Sequence, residues 1–160
     1  MTALIRAGAQ SPWGTIDSVR IVSGDIAFVT TPSHEGIFLS EAVNPLVPAS
    51  LRNSNRFYEG DCEASFIVCI FSKFFSANER KQAIRAFKNW FPTEYEQWSG
   101  EQVDLKDSLE KRRQHFHKAT EGELVAISAW GSWKEGVPAG KVLVVATEGG
   151  SRMGGASQFY

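Results

Sequence analysis

The chain has 160 residues, 42% of them hydrophobic and 22% charged, a composition that suits one globular domain with a sizeable core. A formal net charge of −1 excludes a nucleic-acid protein that works through overall basicity. The start, MTALIRAGAQ, holds no long apolar run, so neither a signal peptide nor a membrane anchor is expected, and no stretch reaches the ~20 apolar residues of a bilayer span.

Residues 1–12 read as a loose amino-terminal segment, and residues 13–160 as a single α+β domain opening at Trp13-Gly14. Val19-Arg20-Ile21-Val22 and Ile26-Ala27-Phe28-Val29-Thr30 are β-rich runs flanking the turn Ser23-Gly24-Asp25. Gly36-Ile37-Phe38-Leu39 predicts a third strand, and with it an antiparallel meander. Pro45 and Pro48 keep the next segment short, and a polar loop at Asn53-Ser54-Asn55 leads to Phe57-Tyr58.

Residues 61–75, DCEASFIVCIFSKFF, predict the central helix, apolar around well over half its circumference and so buried on most sides. Asp61 is the expected N-cap. A second helix is expected over residues 78–90 with Asn78 as N-cap, its stripe made by Ala83, Ile84, Phe87 and Trp90. Pro92 breaks it, and a short turn carrying Tyr95 and Trp98 ends at Gly100. A further helix over residues 103–120 places Leu105, Leu109 and Phe116 near one face and basic residues on the other.

After Gly122 two strand runs, residues 124–130 and 141–147, flank a turn-rich loop, and the second, apolar on both faces, reads as an interior strand. Gly149-Gly150 and Gly154-Gly155 read as a flexible end before Gln158-Phe159-Tyr160. The expected fold is α+β: an antiparallel sheet of about five or six strands, built from the N-terminal meander and the C-terminal hairpin. It packs around the central helix with two or three flanking helices. Cys62 and Cys69, seven apart, lie about 10 Å from each other on a helix, too far for a disulfide, which fits a reducing, cytoplasmic compartment.

Cys62 and His34 are the sharpest catalytic candidates, a thiol at a helix start with an imidazole as base. Two effects oppose each other there. The helix end lowers the thiol pKa, whereas Glu59, Asp61 and Glu63 raise it, and their distances decide. His34, Glu59, Asp61 and Glu63 are also candidate metal ligands, although adjacent carboxylates at a helix start are usually dipole partners. His115-Phe116-His117 is poorly spaced for one metal, because residues two apart on a helix diverge by about 200°. Lys111, Arg112, Arg113, His115 and Lys118 form a basic helix face suited to a partner surface, and Trp133 is the aromatic expected to stay exposed.

Trp13-Gly14, the run Thr31-Pro32-Ser33-His34-x-Gly36-Ile37-x-Leu39-Ser40, Tyr58-Glu59-x-Asp61-Cys62-Glu63, Asn89-Trp90-x-Pro92 and Gly149-Gly150 together carry a resemblance. The chain resembles an uncharacterised domain family of proteins borne by bacterial plasmids, phages and integrative elements. The resemblance extends from about Trp13 to Phe159. Glu35, where relatives usually have glycine, and Ala64, where they have a large aromatic, depart from the pattern. The resemblance implies a mobile-element setting, in which small proteins often antagonise host defence, and carries no catalytic role.

The expected function is a non-enzymatic protein-binding module: an inhibitor or accessory factor acting stoichiometrically on a host nucleoprotein defence complex, without a cofactor. The alternatives are a hydrolase or transferase using Cys62 and His34, and a single-stranded nucleic-acid binder with steep salt dependence. The oligomeric state is not legible.

Overall fold

The computed structural model describes residues 4–151 and 157–159, which fall into two compact units, Met1–Glu110 and Lys111–Tyr160. The fold is α+β with antiparallel sheets, as the sequence predicts.

In the first unit, Gln10–Ser11 (β1) and Gly14–Thr15 (β2) form a small hairpin. Ser18–Ser23 (β3), Ile26–Thr30 (β4), Glu35–Leu39 (β5) and Phe57–Glu59 (β6) make a four-stranded sheet in chain order. The expected meander is present, but Phe57-Tyr58 is its fourth strand and not a lead into the helix. Tyr58 pairs with Ile37, and Phe57 with Phe38.

Side-chain alternation then gives this sheet two buried faces. Ile26, Ile37, Leu39 and Tyr58 meet the helices, while Val29, Phe38 and Phe57 pack with Ile16, Trp13, Leu4 and Ile5. Residues 4–9 of the segment expected to be loose therefore have a structural role. The N–H groups of Gly8 and Ile16 bond Ile16 O at 2.8 Å and Ala9 O at 2.9 Å respectively, and its side chains cover the sheet.

Ala64–Ile70 (α1) is the central helix, buried from Ala64 through Cys69. It is shorter than residues 61–75. Gly60 N–H still bonds Glu35 O at 2.9 Å, extending the sheet ladder, so the chain must turn through residues 61–63 before winding. The N-cap is Glu63, with no side-chain cap, and not Asp61. At the other end a 3₁₀ turn, Ser72–Phe74, sends Phe74 outward and Phe75 into the core against Phe28 at 6.2 Å.

Ala77–Trp90 (α2) starts one position before Asn78, because Ser76 forms a reciprocal capping box with Glu79. Pro92–Ser99 (α3) follows and closes, as expected, on Gly100 in the left-handed conformation at φ +75°. Leu105–Asp107 is only a 3₁₀ turn, so the helix expected over residues 103–120 is Leu109–Ala119 (α4). The break comes from Asn89 of α2, whose Oδ1 takes the Leu109 N–H at 2.8 Å and whose backbone O takes the buried Ser108 hydroxyl at 3.0 Å.

In the second unit Leu124–Trp130 (β7), Leu143–Glu148 (β8) and Ser157–Phe159 (β9) form a separate sheet with β8 in the middle, the interior position its two apolar faces predict. Among the described residues the strands make sheets of two, four and three, and not one sheet of five or six. β6 occupies the β5 edge of the meander, and the C-terminal hairpin completes its own layer with residues 157–159, which follow the stretch expected to be a flexible end. Gly149 and Gly150 turn the chain at φ +60° and +70°; Gly154 and Gly155 lie outside the described residues. Among the described residues no helix is long and apolar enough to cross a membrane.

Candidate functional site

The β4–β5 turn and the segment after β6 enclose a polar cleft of about 420 Å³. Its walls are Thr30, Thr31, Ser33, His34, Glu35, Glu59 and Asp61, so three of the sequence candidates, His34, Glu59 and Asp61, do meet. Thr31 holds the turn: its Oγ1 takes the His34 N–H and donates to the His34 carbonyl, both at 3.1 Å. The His34 ring lies parallel to Trp13 at 6.3 Å, and its Nδ1 is 2.9 Å from Ser33 Oγ. Trp13 reaches this position because Gly36 has no side chain, a Cβ there colliding with the indole and with Tyr58 O.

Cys62 and Glu63 are not walls of this cleft. The Cys62 thiol donates to Glu59 Oε2 at 3.3 Å, and burial, followed by that hydrogen bond and the Glu59 charge, pushes its pKa from 9.0 to about 11. Losing the proton would set a thiolate against a carboxylate, and the helix begins only at Ala64, so the helix end does not reverse the sign. These surroundings favour the thiol form of Cys62 over the thiolate.

Two of the candidate metal ligands, Glu63 and Glu59, accept hydrogen bonds from the surrounding chain. Glu63 Oε2 accepts from Glu59 N–H at 2.9 Å and Asn53 Nδ2 at 3.0 Å, bracing β6 against the preceding loop. Glu59 Oε2 takes the Asp61 N–H at 3.2 Å as well as the thiol. Among the described residues no three His, Cys, Asp or Glu side chains are placed to hold a metal ion.

A second cavity of about 210 Å³ adjoins the cleft and shares Asp61 with it. Its apolar walls are Phe28 of β4, Ala64 and Val68 of α1, and Ala83 and Ala86 of α2. Glu35 and Ala64, the two departures from the resembled pattern, therefore line the polar and the apolar cavity respectively. Composition around Asp61 had signalled carboxylates but not this neighbour, because its walls come from strand and helix positions far apart in sequence.

In the second unit, Arg112, Arg113, His115 and Lys118 are exposed on α4 and Lys111 is half-buried. Lys111, Arg112 and Arg113 already interact within the chain. Phe116, expected near one face with Leu105 and Leu109, is 46% exposed. Trp133 is 77% exposed, as the sequence predicts, and belongs to a cluster that spacing alone did not reveal. Its ring sits edge-on to Trp130 at 5.7 Å, and Lys134 Nζ lies 3.7 Å from the Trp130 ring centre.

No curated protein and no solved structure matches the chain. A domain-family model does match it, and the matched stretch takes in the Trp13, residues 31–40, residues 58–63 and residues 89–92 motifs, which include the cleft and leave Gly149-Gly150 outside. Since that stretch, residues 6–121, is most of the sequence, the chain belongs to the family described as Domain of unknown function (DUF7007).

Proposed function

We propose that the chain is a non-enzymatic protein-binding module, a mobile-element-encoded inhibitor or accessory factor that occupies a host defence complex stoichiometrically in the cytoplasm. The observation that carries this reading is Trp133, a large aromatic left 77% exposed yet held in place. A Cβ on Gly131 would meet Trp133 Nε1 at 2.8 Å, so the indole folds back over a glycine while resting against Trp130. A side chain ordered before binding loses little entropy on docking, and exposed tryptophans beside a cation are typical interface anchors. The basic residues of α4 supply orientation and encounter rate rather than most of the affinity. What weighs against the thiol alternative is that burial and the Glu59 hydrogen bond push the Cys62 pKa up to about 11.

The test is capture of a complex from the bacterial host with the tagged chain, followed by titration of that complex's activity. Inhibition should saturate near one equivalent; inhibition at a strongly sub-stoichiometric dose contradicts the reading. Trp133→Ala is expected to weaken binding by about 2 kcal/mol, roughly 30-fold, by calorimetry. Its melting temperature should hardly move, because an exposed ring contributes little to folding. If the captured ligand is single-stranded nucleic acid whose affinity falls steeply with salt, the chain is a nucleic-acid binder instead.

A further inference from the structure

We propose that the apolar cavity between α1 and α2, together with the cleft it joins at Asp61, docks a partner segment carrying an apolar side chain beside an arginine or lysine. The cavity exists because Ala64, Ala83 and Ala86 are short where the two helices face each other; Phe28 and Val68 supply its apolar floor, and Ser65, Glu79 and Gln82 give it a polar side. About 210 Å³ is below the range of drug-sized ligand sites and suits one aliphatic side chain.

The charge on the adjoining cleft selects the neighbouring group. Glu35, Glu59 and Asp61 all line it, and among the described residues none of the three has an ion-pair partner. The titratable group facing them is His34, already bonded to Ser33 and stacked on Trp13. At the apolar end Glu79 is committed to the Ser76 capping box and feels Arg20, which lies 4.1 Å over the Phe28 ring. The uncompensated charge is therefore negative and concentrated at the Asp61 end, where a guanidinium or ammonium gains most. Thr31 and Gly60 fix the walls through backbone bonds, so the site is formed before anything binds. These residues belong to the Met1–Glu110 unit and Trp133 to the Lys111–Tyr160 unit, and the proposal stands whether or not the Trp133 reading holds.

The experiment titrates the full chain with acetyl-Leu-Arg-amide and follows backbone amide shifts. Saturable shifts are expected at Gly60, Asp61, Ser65 and Ala83, with a Kd on the order of 1 mM or tighter. Acetyl-Leu-Glu-amide and acetyl-Gly-Arg-amide should bind at least tenfold more weakly. Asp61→Lys, at an exposed side chain, should cost at least tenfold, Asp61→Asn less, and Trp133→Ala nothing. The proposal is overturned if those amides do not shift, if the Leu-Glu peptide binds as well, or if Asp61→Lys binds unchanged. Shifts of the same amides with protein concentration alone would make a second copy the occupant and overturn it too.

Discussion

Phe66→Ala should destabilise the Met1–Glu110 unit by about 3–5 kcal/mol, the range for emptying a buried phenylalanine site. Phe66 is 1% exposed and meets Tyr58 at 5.7 Å, Phe87 at 5.8 Å and Phe91 at 5.4 Å, so its ring joins the sheet to α2 and to the start of α3. Those neighbours are held by their own elements and cannot collapse into the space, which places the cost high in the range. For a unit of the size of Met1–Glu110 the melting temperature should fall by roughly 13–22 °C. Phe66→Leu, which keeps apolar volume, should lose about 1–2 kcal/mol. Calorimetry of the transition that unfolds this unit decides. A loss below about 1 kcal/mol for Phe66→Ala would mean that α1 is not the element the core is built on.

Gly36→Ala should be nearly as severe, about 3 kcal/mol or more, although it adds only a methyl group. Gly36 sits inside the sheet, paired with Val29 on one side and Glu59 on the other. The new Cβ runs into the Trp13 ring and the Tyr58 carbonyl. An indole can rotate away; a carbonyl of the paired strand moves only if the β5–β6 ladder opens. Removing the ring as well, in Gly36→Ala/Trp13→Ala, should therefore recover little. Denaturant unfolding gives the answer, and full recovery in the double variant would show that the indole, not the strand, sets the limit.

How much of this was legible in the sequence depends on whether the deciding contact was local. The strands around Ser23-Gly24-Asp25 could be read because turn and alternation are near neighbours, and the burial of residues 64–69 because they are almost all apolar. The true start of α2 was equally local, since Ser76-Ala77-Asn78-Glu79 spells a capping box, but the nearby Asn78 competed for the same role. By contrast, three residues cannot show a period, and β6 is a strand only because β5 pairs with it. The break at Ser108 depends on Asn89, which lies 19 and 20 residues from the groups it bonds. The phenylalanine-rich end of the central run gave no sign that Phe74 and Phe75 point opposite ways.

The candidate site divides similarly. That Cys62 faces both a helix start and carboxylates was plain from spacing, but the sign of the net effect needed the 3.3 Å to Glu59 and the late start of α1. That Glu35 shares a cleft with Glu59 and Asp61 follows from the β5–β6 register, which no local pattern encodes.

On the proposed binding function Cys62 is a structural thiol and not a nucleophile, and the titration of Cys62 tests that most directly. Because the folded pKa lies above the unfolded one, the thiol favours the folded state fully at neutral pH, and this contribution is lost between 9.0 and about 11. Alkylation by iodoacetamide, followed at Cys62 by mass spectrometry, should be slow at neutral pH and still rise about tenfold per pH unit up to about pH 10. Glu59→Gln should speed it by lowering the pKa. A rate that is already fast and flat below about pH 8 would show an activated thiolate and contradict the account.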